Sequence, residues 1–230
     1  VSKKSRGITK LSFYEQVGII IPGSAMLFGL FFFIPDLRGA LTKDGVSVGQ
    51  LGIFVLLSYA AGHLVAAVGN AVEWLMWKAF GGMPSDWIVR EDQTLLAPEQ
   101  LNQLREKLQV LMGICVEKVT GMDVKTWKPI SRQIYAKVMK DGQTSRIDTF
   151  NGNYGLNRGL ASAMLVLTVF ALTQSLWWAA FGLIVVGSVF LYRAHRFGVY
   201  YGRELYLQFL IMSDQPKPPP KISRKKEETA

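Results

Sequence analysis

Residues 159–192 read GLASAMLVLTVFALTQSLWWAAFGLIVVGSVFLY, 34 consecutive positions without a charged side chain. As one α-helix this stretch would be about 50 Å long, against a hydrocarbon core of about 30 Å. Tilt absorbs only part of that excess. Its polar cluster, Thr173-Gln174-Ser175, lies near the middle and is followed by Trp177 and Trp178. Two spans joined by a tight turn satisfy both facts, with the paired indoles at the membrane–water boundary, where amphipathic rings are favoured.

Two more uncharged stretches lie upstream. Val17–Ile34 is interrupted by Pro22-Gly23 and Ser24, and Leu51–Val72 by Ser58, His63 and Asn70. Lys3, Lys4, Arg6 and Lys10 precede the first stretch, as in a secretory signal. Its apolar part is longer than a signal core, however, and Pro35-Asp36-Leu37-Arg38 offers no small-x-small cleavage pattern, so a retained anchor is expected. The chain is 50% hydrophobic and 19% charged. The hydrophobic residues come in blocks, which points to a bilayer rather than a large water-soluble core.

The basic residues set the expected orientation. Four Lys or Arg precede the first span, twelve lie between Lys78 and Arg158, and eight follow from Arg193 onward. Only Arg38 and Lys43 fall in the first connection, and the Thr173 turn has none. Positive residues accumulate on the cytoplasmic side, so both termini and the middle segment are expected there, in a multi-pass inner-membrane protein. The same rule accounts for the net charge of +9 without direct nucleic-acid binding. A single cysteine, Cys115, excludes an internal disulfide and fits a reducing compartment.

The expected fold is all-α: a polytopic membrane protein with four transmembrane helices as two hairpins and an inserted cytoplasmic helical domain. Residues 1–16 form a basic arm and 17–78 the first hairpin. Residues 79–156 form the insert, 157–192 the second hairpin, 193–213 a cytoplasmic helix and 214–230 a disordered basic tail. Within the insert, Gly81-Gly82-Met83-Pro84 ends a helix and Ala97-Pro98-Glu99 opens the next. Leu101, Leu104, Leu108 and Leu111 then repeat at helical spacing. Lys128-Pro129 is expected to open a further helix, with Ile130, Ile134 and Val138 on one side and Asp141-Gly142 at its end. Cys115 is expected on the buried face of its helix, and Gly152-Asn153-Tyr154-Gly155 as a flexible entry to the third span.

No phosphate loop, paired metal-ligand spacing or nucleophile triad is present in the sequence. An enzyme is therefore not expected, and neither a catalytic residue, a cofactor nor a metal is assigned. The second span carries the candidate site. Ser58, Gly62, Ala66 and Asn70 recur every four residues, a stripe along which a helix can approach closely. Tyr59, His63 and Asn70 lie on an overlapping face, followed by Glu73. Polar groups at that depth face protein or a water cavity. They serve either as glue between helices, with His63 hydrogen-bonded to a neighbouring span, or as the lining of a conduit. Pro22-Gly23 is expected to bend the first span. Arg132, Tyr135, Arg146 and Arg158, with Arg193 and Arg196 beyond the fourth span, are candidate contacts to lipid headgroups or to a partner. The small-residue stripe, together with Tyr200, Tyr206 and Phe209 on a projecting helix, leads to an expected homo-oligomer, a dimer or tetramer.

The layout of two spans, a helical insert and two further spans resembles the small four-pass membrane proteins of bacterial anti-phage operons, the Kiwa-type membrane component among them. Ser58-Tyr59-Ala60-Ala61-Gly62-His63 is part of that resemblance. It implies homo-oligomerisation, sensing of membrane perturbation or membrane disruption, and a soluble cytoplasmic partner. The function expected is a membrane sensor or scaffold that holds a cytoplasmic effector in antiviral defence; the alternative is a pore-forming effector or ion channel.

Overall fold

The computed structural model describes residues 8–34, 47–142 and 144–213, with side chains in the first helix described from Val17. Arg38, Lys43, residues 1–7 and the tail 214–230 lie outside the described residues. The described chain is all-helical, and it contains no strand. Its helices are α1 (Ile8–Phe33), α2 (Val48–Ala79), a 3-10 turn (Pro84–Val89), α3 (Pro98–Met112), α4 (Val124–Asp141), α5 (Ser145–Thr173) and α6 (Trp177–Ile211).

Three of these, α2, α5 and α6, are long and apolar enough to cross a membrane, and Val17–Phe33 of α1 is a shorter apolar helix. Only 22% of the most apolar window of α2 and 11% of that of α6 is buried by the rest of the chain. Leu56, Leu64, Phe181 and Val189 are exposed there. Apolar surface left outward on this scale needs a solvent other than water.

Local chemistry explains where the helices stop. Ser47 caps α2: its hydroxyl accepts from the Gln50 N–H at 3.2 Å while the Gln50 side chain accepts from the Ser47 N–H at 2.7 Å. Gly81 and Gly82, both at positive φ, reverse the chain after α2. Gly113 and Gly142 close α3 and α4 in the left-handed region. The long uncharged stretch breaks at the polar cluster: α5 ends at Thr173, Ser175 has φ 57°, and the Leu176 N–H donates to the Ala171 carbonyl at 2.9 Å. Trp177 and Trp178 project outward, 68% and 89% exposed.

The helix boundaries correct four expectations. α1 begins at Ile8, ahead of the apolar stretch. α4 begins at Val124, so Pro129 lies inside it. Gly152-Asn153-Tyr154-Gly155 is helical within α5, because an intact i to i−4 ladder satisfies backbone groups that a loop would leave to water. Cys115 is exposed, since α3 ends at Met112 and the cysteine lies beyond its amphipathic face.

The apolar helices meet where side chains are smallest. Gly23 of α1 lies so close to α2 that an added Cβ would be 1.9 Å from the Ser58 carbonyl, and one on Gly62 would be 2.2 Å from the Ile19 carbonyl. Pro22 rests against Gly159 of α5 and Gly29 against Leu167. Gly187 of α6 faces Met164. Residue pairing makes α1 and α2 antiparallel (Ile19 with Gly62, Gly23 with Ser58), and α5 and α6 antiparallel (Met164 with Gly187, Asn157 with Arg193).

A second core lies below this bundle. Ile88, Leu104, Leu108, Trp127, Ile134, Val138 and Ile147 share it with Leu205, Tyr206 and Phe209 of α6. Leu104, Leu108, Ile134 and Val138 are fully buried, the face their helical spacing predicts. The Trp127 indole donates to Tyr206 Oη at 3.0 Å and to the Ser85 carbonyl at 3.2 Å, and the Tyr206 hydroxyl donates to that same carbonyl. α6 is therefore one continuous helix whose first half belongs to the apolar bundle and whose second half is the spine of the helical domain.

Candidate functional site

The candidate residues of α2 do not form one surface. Of the small-residue stripe, Ser58 and Gly62 are buried against α1 and Ala66 is half-buried, so this part of it packs within the chain. Tyr59, His63 and Asn70 are exposed on the outer side of the helix. The Tyr59 and His63 rings meet edge-to-face with centroids 4.7 Å apart. No other described helix covers that face, so His63 has no hydrogen bond to another span among the described residues. The Ser58 hydroxyl is fully buried without a hydrogen-bond partner.

Glu73 lies at the far end of α2 and forms an ion pair with Arg158 of α5. The two side chains are 23% and 22% exposed, so the pair sits where the apolar bundle meets the helical domain. The Arg158 guanidinium also lies over the Tyr154 ring, 5.7 Å from its centroid. Tyr154 Oη accepts from the Trp77 indole N–H at 2.9 Å. Trp77 continues into an aromatic cluster with Phe80, Trp87 and His195.

This junction holds a partly open cavity of about 570 Å³. α1 contributes Gly18 and Ile19 to its wall, α2 contributes Glu73 and Trp77, and the 3-10 turn contributes Ser85. Tyr135 of α4 and Tyr201 of α6 face it, and α5 supplies Asp148, Asn151, Tyr154, Gly155 and Arg158. Burial, and then the nearby Asp148 carboxylate, pushes the Tyr135 hydroxyl above its usual range, so it is a neutral hydrogen-bonding group at neutral pH. The wall combines aromatic faces, hydroxyls and carboxylates around a volume suited to a small ligand.

The six expected headgroup or partner contacts are dispersed. Arg158 and Tyr135 belong to the cavity. Arg146 pairs with the buried Glu204 at 3.4 Å, and Arg132 is exposed on α4. Arg193 donates to Asn157 at 3.3 Å, and Arg196 donates to Tyr200. Arg193 and Arg196 both stand just past the end of the uncharged stretch.

Sequence reading missed Asp148 and Asn151, although their signal was present. Asp148, Asn151, Gly155 and Arg158 fall at helical spacing on one face of α5. It also treated Tyr206 and Phe209 as aromatics in need of an outside partner. Both are fully buried against Trp127 and Ile88 of their own chain, which withdraws them as an oligomer surface.

The described residues form an all-helical protein with three helices long and apolar enough to cross a membrane and a helical domain joined to them through α6. No family model, curated protein or solved structure matches this chain.

Proposed function

We propose that the protein is a four-pass inner-membrane sensor or scaffold, non-enzymatic, that couples its bundle to a cytoplasmic effector through the helical domain. α1 is then the fourth crossing, giving two hairpins with both termini on the cytoplasmic side. The asymmetry of Lys and Arg in the sequence supports this orientation. The observation that carries the sensing reading is the continuity of α6 over 35 residues. A tilt or rotation of its first half within the bundle must move Leu205, Tyr206 and Phe209 in the domain core, because packed cores transmit displacement. The resemblance to anti-phage membrane components adds the context of antiviral defence and a soluble partner.

A homo-oligomer, a dimer or tetramer, accompanies this reading through a different surface from the one first expected. His63 and Asn70 point out of the bundle, and hydrocarbon offers them no hydrogen-bond partner. A second copy presenting the same face would supply one. The pore reading would require that outward face to line a conduit between copies.

Reconstitution separates the two. Proteoliposomes of the purified chain should hold a potassium gradient as well as empty vesicles do. A leak that Asn70→Leu or His63→Leu abolishes would overturn the scaffold reading in favour of the pore.

A further inference from the structure

The junction cavity contains one carboxylate that no described residue matches with a counter-ion. Glu73 is matched by Arg158, and Arg158 is additionally covered by the Tyr154 ring. Asp148, ten residues before Arg158 in the first turn of α5, forms no ion pair among the described residues. The nearest arginine along α5, Arg146, is engaged by Glu204 at 3.4 Å. Tyr135 and Tyr201 line the same cavity, each near enough to Asp148 for the carboxylate to disfavour ionisation of its hydroxyl. A carboxylate with no described counter-ion, in a cavity lined by tyrosines, is chemistry that recognises a cation carried on carbon, by a charge-assisted hydrogen bond together with attraction to an aromatic ring.

The space is present as well. An added Cβ on Gly18 or Gly155, which both line the cavity, would meet nothing within 4 Å. The cavity's height in the fold also favours a ligand from the headgroup layer. On α2 it begins at Ala66, within the apolar stretch, and reaches Trp77, and on α5 it ends at Arg158, immediately before the uncharged run. An inorganic ion would leave most of about 570 Å³ unfilled, whereas an aminoalkyl phosphate headgroup is of suitable size.

We infer that this cavity is a binding site for an organic ammonium group, held by Asp148 between Tyr135 and Tyr201. The ammonium belongs either to the ethanolamine headgroup of a membrane lipid or to a free small amine. The inference deepens the sensing reading and rests on it only for the consequence of binding; occupancy itself needs no effector.

The test uses the full-length chain in detergent, without any partner. Native mass spectrometry reads retention of added phosphatidylethanolamine against phosphatidylglycerol, and Trp77 fluorescence reads titration with free ethanolamine. Selective retention of phosphatidylethanolamine identifies a lipid source, and saturable binding of ethanolamine alone identifies a soluble one. Either should weaken about tenfold or more in Asp148→Asn, the loss expected when one charge-assisted contact is removed. Asp148→Glu should retain most of the binding. Gly155→Phe should abolish it by filling the space, while Gly52→Phe, on an equally open glycine outside the cavity, should leave it unchanged. Binding of neither probe by the wild-type chain overturns the inference. So does equal binding in folded Asp148→Asn, or a preference for phosphatidylglycerol. Proteoliposome leakage is a separate readout, so failure of the scaffold reading and failure of this site are distinguishable.

Discussion

At Gly62 and Gly23 the absence of a side chain is itself the interaction, because the α1 and α2 backbones approach within contact distance there. Even Gly62→Ala should destabilise by about 1–3 kcal/mol through overpacking against the Ile19 carbonyl. Gly62→Leu should prevent α1 from docking, whatever the oligomeric state. Gly52→Leu should be neutral, since nothing lies within 4 Å of its Cβ. Thermal unfolding of the three variants in detergent checks this. The Glu73–Arg158 pair gives the second prediction. Removing one partner leaves a largely buried charge, so Glu73→Gln should lower stability by about 3 kcal/mol, while Glu73→Leu with Arg158→Met should recover most of the loss. A double-mutant cycle showing two independent, additive losses would contradict the pairing.

At the scale of elements, the stops of the helices were legible because turn chemistry is local. Gly81-Gly82, Asp141-Gly142 and Thr173-Gln174-Ser175 end helices as their residue types predict, whereas the stop at Gly113 was passed over when Cys115 was placed on the helix. The starts of α1 and α4 were less legible, because residues such as Val124-Lys125-Thr126 carry no strong signal and take their helicity from packing of Trp127 and Ile130. The role of the second half of α6 was misread for a related reason: periodicity shows that Leu205, Tyr206 and Phe209 must be covered, and says nothing about what covers them. Phe209→Ala should therefore cost about 3–5 kcal/mol in the helical domain and expose Trp127 to quencher. It should not shift the oligomer distribution, as it would have done had Phe209 been an interface residue.

At the scale of the whole molecule, the prediction is one of sidedness. Reporter fusions or cysteine labels at Asp44 and Gln174 should report the outside, and those at Gln103 and Ser223 the cytoplasm. An outward Gln103 would overturn the orientation. If copies associate through the outward face of α2, His63→Leu or Asn70→Leu should weaken assembly by about 1 kcal/mol, near a fivefold change in dissociation constant. Ser58→Ala, inside the chain, should leave assembly unchanged and raise stability, since it removes a buried hydroxyl without a partner.

The sequence by itself determined which segments avoid water, where they break, and which side of each domain helix is apolar. Those properties follow from local composition and from the fixed 3.6-residue period. Only the tertiary structure decided what each face meets. It showed that the stripe on α2 receives α1 of the same chain, that α6 enters the domain core, and that Asp148 shares a cavity with Tyr135 and Tyr201 from distant helices. A helix face specifies a need for contact without naming the partner. That choice depends on the summed packing of several helices, which no single stretch of sequence contains.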